Sequence, residues 1–350
     1  MPNADADAVK PVKKVNLALQ GGGAHGAFTW GVLDYLLEDG RLAYDGLSGA
    51  SAGAMNAVNF AEGMRKGGAK GARKQLDDFW RAASFDGVLP AIQRNLVEGV
   101  LNFWSQTPAA TLLQQTSNLF SPAEVNPLGI NPLRHAVSSM VDFDALRATD
   151  SLKLFVSATN VETGKVRVFR RPEMTLDMVM ASACLPTLFP AVVIDGVPYW
   201  DGGYMGNPVL FPFFTETETT DIILVQINPI VRKGVPKTAA EIMGRIDEIT
   251  FNAPLLQEFR AVDFVTRLIK AGRLEGTHYK SIRLHVIHAE DELNKLGSAS
   301  KLNADYDFFR HLREIGRRAA KKFLDAHFDS IGVEGTLDVQ NALKADTSTC

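Results

Sequence analysis

The chain has 350 residues, 46% of them hydrophobic and 22% charged, and its formal net charge at pH 7 is -3. This is the composition of a globular protein that is long enough to bury a large core. The small net charge gives no polyelectrolyte signature, so we expect no nucleic-acid partner. The two cysteines, Cys184 and Cys350, cannot form a disulfide framework and favour a reducing, cytoplasmic setting.

The start of the chain predicts neither secretion nor a membrane anchor. Residues 1–13 are rich in Ala, Asp and Lys and contain no apolar stretch, so we expect a flexible N-terminal segment without a signal peptide. No part of the sequence approaches the roughly 18 consecutive apolar residues of a membrane span. If the substrate is a lipid, the protein is expected to meet it from the aqueous side, as a cytoplasmic protein peripheral to the membrane.

The first elements alternate between short apolar strands and helices. Residues 15–20 (VNLALQ) predict a buried strand that ends at a triple glycine. A helix is predicted over residues 24–38, with Gly40 as its C-cap. Residues 44–48 predict a second strand, and another helix begins at Ala52.

The rest of the chain continues this alternation. Asp195-Gly196 is a hairpin pair between two short strands. Strands are predicted at 152–159, 166–169, 192–194, 197–200, 221–227 and 281–288, and helices at 238–275 and 303–328. Strands that alternate with helices, several of them wholly apolar, predict a three-layer α/β/α fold with a largely parallel central sheet.

Ser51 lies in the motif Gly49-Ala50-Ser51-Ala52-Gly53, between a predicted strand and a predicted helix. This context is typical of a nucleophile elbow, in which a crowded turn requires small neighbours and presents the serine at a helix N-terminus. The pattern G-x-S-x-G also occurs by chance in glycine-rich loops. The strand before it and the helix after it favour Ser51 as a nucleophile.

The segment Gly21-Gly22-Gly23-Ala24-His25-Gly26 is suited to bind an oxyanion, because successive glycines can turn their backbone N–H groups into one concavity. An alternative interpretation is the dinucleotide motif G-x-G-x-x-G, with Asp45 as the ribose-binding acid. That acid belongs at the end of the second strand, whereas Asp45 lies at its start. A dinucleotide-dependent oxidoreductase is therefore the least favoured alternative.

Asp201 heads the third motif, Asp201-Gly202-Gly203, at the end of a predicted strand. Asp-Gly is common in turns, but beside the other two motifs Asp201 becomes the candidate base. A histidine-assisted mechanism stays open as well. In the chain order of an α/β-hydrolase, His278, His285 or His288 would follow the aspartate.

The order and spacing of these motifs resemble the bacterial patatin-like phospholipases, lipid acyl hydrolases that use a Ser-Asp dyad without histidine. The resemblance extends over about residues 14 to 230. It includes three further segments: Ser157-Ala158-Thr159-Asn160, Ala181-Ser182-Ala183 and Asn207-Pro208.

The resemblance implies a role for each motif. Ser51 is the nucleophile, Asp201 is the general base, and the oxyanion hole consists of Gly21, Gly22 and Gly23. Residues with a supporting role are His25, Gly26, Gly49, Ala52, Gly53, Gly202 and Gly203. His25 departs from the pattern, because the family usually has Arg or Lys there. That position helps to order the loop, so the change bears on oxyanion geometry and on pH response.

The resemblance also implies a domain organisation and a function. We expect a patatin-like catalytic domain at 14–230 with a cap-like insertion at about 85–135, a mostly helical extension at 231–330 packed on it, and a loosely ordered tail at 331–350. The expected reaction is cleavage of carboxylic esters of glycerolipids through an acyl-enzyme, with a lipid or membrane-surface substrate and no metal or cofactor. The alternative is a catalytically idle lipid-binding or regulatory protein on the same fold.

Overall fold

The computed structural model describes residues 12–84, 131–150, 152–277 and 279–344. Nearly all of the predicted N-terminal segment and most of the predicted cap-like insertion lie outside these residues. The end of the predicted tail, from residue 345 onward, lies outside them as well. The division of the chain into domains therefore stays a prediction.

The described strands form one eight-stranded sheet. They are β1 Lys13–Leu19, β2 Leu42–Gly49, β3 Lys153–Asn160, β4 Val166–Arg170, β5 Val192–Ile194, β6 Val197–Asp201, β7 Asp221–Val225 and β8 Arg283–Ile287. The order across the sheet is β5-β6-β3-β2-β1-β7-β8, and β4 pairs with β3. Strands β3, β2, β1, β7 and β8 run parallel, whereas β4 and β6 run antiparallel to β3.

Helices cover both faces of this sheet. They are α1 Gly26–Asp39, α2 Ala52–Ala82, α3 Pro132–Met140, α4 Phe143–Ala148, α5 Leu176–Ser182, α6 Phe211–Glu216, α7 Ala239–Lys270, α8 Glu290–Leu293, α9 Tyr306–His327 and α10 Val339–Ala342. Leu17 and Leu19 belong to the apolar cluster that includes α1, α2 and α9, whereas Ala18 belongs to the cluster that includes α7. Because alternate residues of β1 face two different helical layers, the predicted α/β/α fold is confirmed.

Local signals fixed several element boundaries as expected. Gly40 ends α1 with a left-handed φ of 73°, and Asp195 and Gly196 form the β5–β6 turn with φ values of 50° and 81°. The sequence predicts a helix that begins at Ala24, whereas α1 begins at Gly26, because the 3-10 turn Gly23–His25 precedes it. Such tight turns are frequent where a helix begins.

The region after residue 230 is built into the same fold. Strand β8 pairs in parallel with β7, so the predicted boundary lies between two neighbouring strands of one sheet. Helix α9 packs on α1 in backbone contact, because a Cβ added at Gly316 would lie 2.1 Å from the carbonyl oxygen of Phe28. Asp34 of α1 is buried and pairs with Arg313 and Arg317 of α9 and with Arg73 of α2. These contacts fix α9 to the helical layer beside the sheet.

The longest described helices are α2, α7 and α9. Each carries charged side chains along its length. Of the helices in the described ranges, none is both long enough and apolar enough to cross a membrane.

Candidate active site

Ser51 lies at the carboxyl edge of the parallel strands, where open α/β sheets place their sites. Strand β2 ends at Gly49, and α2 begins at Ala52, so the serine occupies the turn between them. Its backbone has φ 52° and ψ -124°, a conformation that non-glycine residues rarely adopt. The residue is 8% exposed. The backbone of this turn is therefore strained at Ser51.

Close backbone packing explains why small residues surround Ser51. A Cβ added at Gly53 would lie 2.0 Å from the carbonyl oxygen of Leu19, and one added at Gly21 would lie 2.7 Å from Ser51 Cβ. A Cβ added at Gly26 would likewise lie 2.6 Å from the methyl group of Ala52. The glycine loop after β1 and the serine turn after β2 therefore fit against each other with no room for larger side chains.

Ser182, at the end of α5, holds the serine turn from the other side. The backbone N–H of Ser51 donates to both the carbonyl oxygen and the Oγ of Ser182, at 3.1 and 3.0 Å. Ser182 is fully buried. Sequence reasoning assigned it no role, although its segment Ala181-Ser182-Ala183 contributed to the family resemblance.

Asp201 ends strand β6 and is completely buried. Its backbone N–H donates to the carbonyl oxygen of Cys184 at 2.8 Å, and its own carbonyl oxygen accepts from Thr159 Oγ1 at 2.8 Å. Its carboxylate Oδ1 accepts from the Gly203 N–H at 2.7 Å. These three bonds fix both the backbone and the carboxylate plane of Asp201.

The second carboxylate oxygen, Asp201 Oδ2, accepts no hydrogen bond of regular geometry from any described residue. Burial raises the pKa of Asp201 to about 7, and the nearby Ser51 hydroxyl and the Gly203 N–H act in the opposite direction. The Ser51 hydroxyl lies close enough to the Asp201 carboxylate to lower its pKa. A buried carboxylate with a near-neutral pKa and an unoccupied oxygen is suited to accept a proton from that hydroxyl.

Gly21 differs from the expectation that it donates to an oxyanion. Its N–H donates to Asn207 Oδ1 at 2.6 Å, and its carbonyl oxygen accepts from Asn228 Nδ2 at 2.7 Å. Since this N–H is already used within the protein, the candidate oxyanion hole is reduced to the amides of Gly22 and Gly23. The N–H of Ala52, at the first turn of α2, has no partner within its helix and is a further candidate.

Four buried side-chain amides form a hydrogen-bonded group beside Gly21, and we call them the amide cluster: Gln20, Asn207, Asn228 and Asn252. Gln20 Oε1 accepts from the backbone N–H of Asn228 at 2.9 Å, and Gln20 Nε2 donates to Asn252 Oδ1 at 3.1 Å. Each amide is at most 3% exposed. A buried, mutually bonded polar network of this kind holds the glycine loop in one conformation.

The histidines have different surroundings. His25 Nε2 lies 2.7 Å from Ser300 Oγ, and burial, with the charge of Lys301, lowers its pKa to about 4. His285 is fully buried and contacts Asp221 at 3.1 Å. His288 is exposed, and His278 lies outside the described residues.

Asp45, the acid of the dinucleotide interpretation, is engaged within the fold. Its carboxylate accepts from the backbone N–H groups of Glu218 and Thr219, the latter at 3.1 Å, and pairs with Lys153 at 3.5 Å. It therefore stabilises the turn before β7. The group that would bind a ribose hydroxyl in that interpretation is already occupied.

Comparison with known proteins gives one matching family and several matching solved structures. The sequence model of a family described as patatin-like phospholipase matches residues 17–214. VipD from Legionella pneumophila is 17% identical, with a TM-score of 0.43 over 91% of this chain and 67% of VipD. ExoU from Pseudomonas aeruginosa, solved as the ExoU–SpcU complex of its type III secretion system, is 14% identical to this chain, with a TM-score of 0.37. The match covers 91% of this chain and 53% of ExoU, so this chain spans about half of the length of ExoU. A search of curated proteins gives no match.

Proposed function

The chain belongs to the patatin-like phospholipase family, and we propose that it is a lipid acyl hydrolase with a Ser51–Asp201 dyad. The observation that carries the proposal is the buried Asp201 carboxylate. Its Oδ1 is fixed by Gly203, while its Oδ2 accepts no regular hydrogen bond from the residues that the structure describes. The backbone strain at Ser51 supports the same assignment, because strained residues cluster at functional sites.

In the proposed reaction, Asp201 Oδ2 takes the proton of the Ser51 hydroxyl while Oγ attacks the ester carbonyl carbon of a glycerolipid. The negative charge that develops on the carbonyl oxygen is stabilised by the N–H groups of Gly22, Gly23 and Ala52. Collapse of this intermediate breaks the bond to the alcohol, and Asp201 returns the proton to the leaving oxygen. Water then hydrolyses the acyl-Ser51 ester, with Asp201 again as the base.

Hydrolysis of a neutral short-chain ester is expected to depend on the ionisation of Asp201. The pKa of this buried carboxyl is raised to about 7, and only its ionised form accepts a proton. We therefore expect kcat/KM to rise as pH increases through about 7 and to fall about tenfold per unit below about pH 6. A profile that stays level between about pH 5 and 8 would show that the base has an ordinary carboxylate pKa or that another group acts.

Histidine substitutions distinguish a dyad from a triad. If Asp201 acts directly, His278→Ala, His285→Ala and His288→Ala should each keep kcat within about tenfold, whereas loss of a general base costs about 10²–10⁴-fold. His285→Ala is expected to lower the melting temperature, since it removes a buried partner of Asp221. A collapse of kcat in one of these variants at an unchanged melting temperature would favour a Ser-Asp-His hydrolase.

The reaction is tested with phosphatidylcholine labelled separately in its acyl chains and in its head group. The proposal predicts release of labelled fatty acid and of lysophospholipid, with the phosphate still attached to glycerol. Release of a phosphorylated head group would contradict ester hydrolysis at the acyl carbonyl. Binding to the lipid without release of fatty acid would favour the idle lipid-binding alternative.

A further inference from the structure

A segment far along the chain touches the glycine loop after β1, residues 21–26, which we call the oxyanion loop because it carries the candidate oxyanion donors. The 3-10 turn Ser298–Leu302, which we call the C-terminal turn, lies against Gly23 and His25. A Cβ added at Gly23 would lie 2.4 Å from the carbonyl oxygen of Lys301. Since His25 also contacts Ser300, two residues of the loop meet the C-terminal turn.

The Lys301 side chain extends from this contact to the amide cluster. Its Nζ donates to Asn228 Oδ1 at 2.8 Å. On the other side of the same amide, Asn228 Nδ2 donates to the carbonyl oxygen of Gly21 at 2.7 Å. Asn228 is 1% exposed, so both bonds lie in an environment of low dielectric constant. An ammonium bound to the amide oxygen polarises the amide and strengthens its donation to the loop.

The hydrogen bond to Asn228 is the main polar contact of the Lys301 ammonium, because the carboxylate that faces it is already paired. Glu248, which faces it from α7, is already bound by Arg232 and Arg245, at 2.6 and 3.0 Å. Among the described residues, the Lys301 ammonium makes one side-chain hydrogen bond, to Asn228. Burial lowers the pKa of Lys301, and Glu248 and Asp247 act to keep it charged.

We propose that Lys301 is a positioning residue of the oxyanion loop, which it holds through Asn228 and the Gly21 carbonyl oxygen. This inference rests on the proposed function of the same site. The Gly21 carbonyl oxygen belongs to the peptide unit that carries the N–H of Gly22, so a fixed carbonyl fixes the direction of that donor. Lys301 therefore acts on the transition state without touching the substrate.

The first test compares Lys301→Met with Lys295→Met, a control at an exposed lysine six residues earlier. Loss of loop positioning is expected to lower kcat about 10- to 100-fold and to leave KM nearly unchanged, because the oxyanion forms only after the substrate binds. The rate of Ser51 labelling by a fluorophosphonate should fall in parallel. Equal kcat values for the two variants would overturn the inference.

A double-mutant cycle with Asn228→Ala separates positioning from a general structural role. If Lys301 acts through Asn228, Lys301→Met should have little further effect on kcat in the Asn228→Ala background. Losses that multiply would contradict this route.

Melting temperatures of all variants report folding. If the wild-type protein neither hydrolyses esters nor reacts with the probe, the proposed function itself fails, whereas an active wild type with an unaffected Lys301→Met variant rejects only the role of Lys301.

Discussion

Replacement of Ser51 by alanine is expected to lower ester hydrolysis by about 10⁴-fold or more, because the attacking oxygen is removed and no acyl-enzyme can form. The fold should persist, since Ser51 is held by its backbone N–H, which donates to Ser182 in the variant as well. The measurement is the initial rate of fatty acid release, together with the melting temperature of the same sample.

Ser138→Ala provides the matched control for this experiment. Ser138 is an exposed serine on α3, and its substitution should leave the rate within about twofold of the wild type, as is usual for surface changes away from a site. Substantial hydrolysis by the Ser51→Ala protein would mean that another nucleophile carries the reaction.

Replacement of Asp201 by asparagine is expected to lower kcat by about 10²–10⁴-fold, the usual consequence of losing a general base. The amide keeps the shape of the side chain, and its oxygen can still accept from Gly203. The same change should raise the melting temperature at about pH 8. Because the folded-state pKa is raised to about 7 from 3.8, ionisation of Asp201 destabilises the folded state as pH rises, and a neutral amide removes that penalty.

Asp195→Asn is the control for this second substitution. Asp195 lies in the turn just before β6, is exposed and has a φ of 50°, which asparagine tolerates well. Both the rate and the melting temperature should change little. If Asp201→Asn keeps more than a tenth of the wild-type kcat, a loss of less than about 1.4 kcal/mol in transition-state stabilisation, another group is the base.

The sequence predicts those features of the fold that depend on near neighbours. The hairpin at Asp195-Gly196, the helix end at Gly40 and the apolar strand β1 each follow from residues within one element or turn. The 3-10 turn at Gly23–His25 was missed, since its conformation depends on contacts that the glycine loop makes with the rest of the fold.

The candidate site likewise combines residues that short motifs reveal with residues that only the folded chain brings together. Ser51 and Asp201 stand out because each lies in a short glycine-bearing motif at the end of a strand. The use of the Gly21 N–H by Asn207 was not predictable, because the two residues are 186 positions apart and the segment Asn207-Pro208 does not indicate which donor its amide binds. Lys301 was missed for the same reason, since it reaches Asn228 from a turn 73 positions further along the chain.

The assignment of Ser51 as the nucleophile of this site can be checked by locating a fluorophosphonate adduct in the folded protein. The probe is incubated with the native chain, and the modified peptide is identified by mass spectrometry after proteolysis. We expect one adduct, on Ser51, with labelling slowed in the Asp201→Asn protein. An adduct on Ser48, Ser105 or Ser182, or a folded protein that forms none, would contradict it.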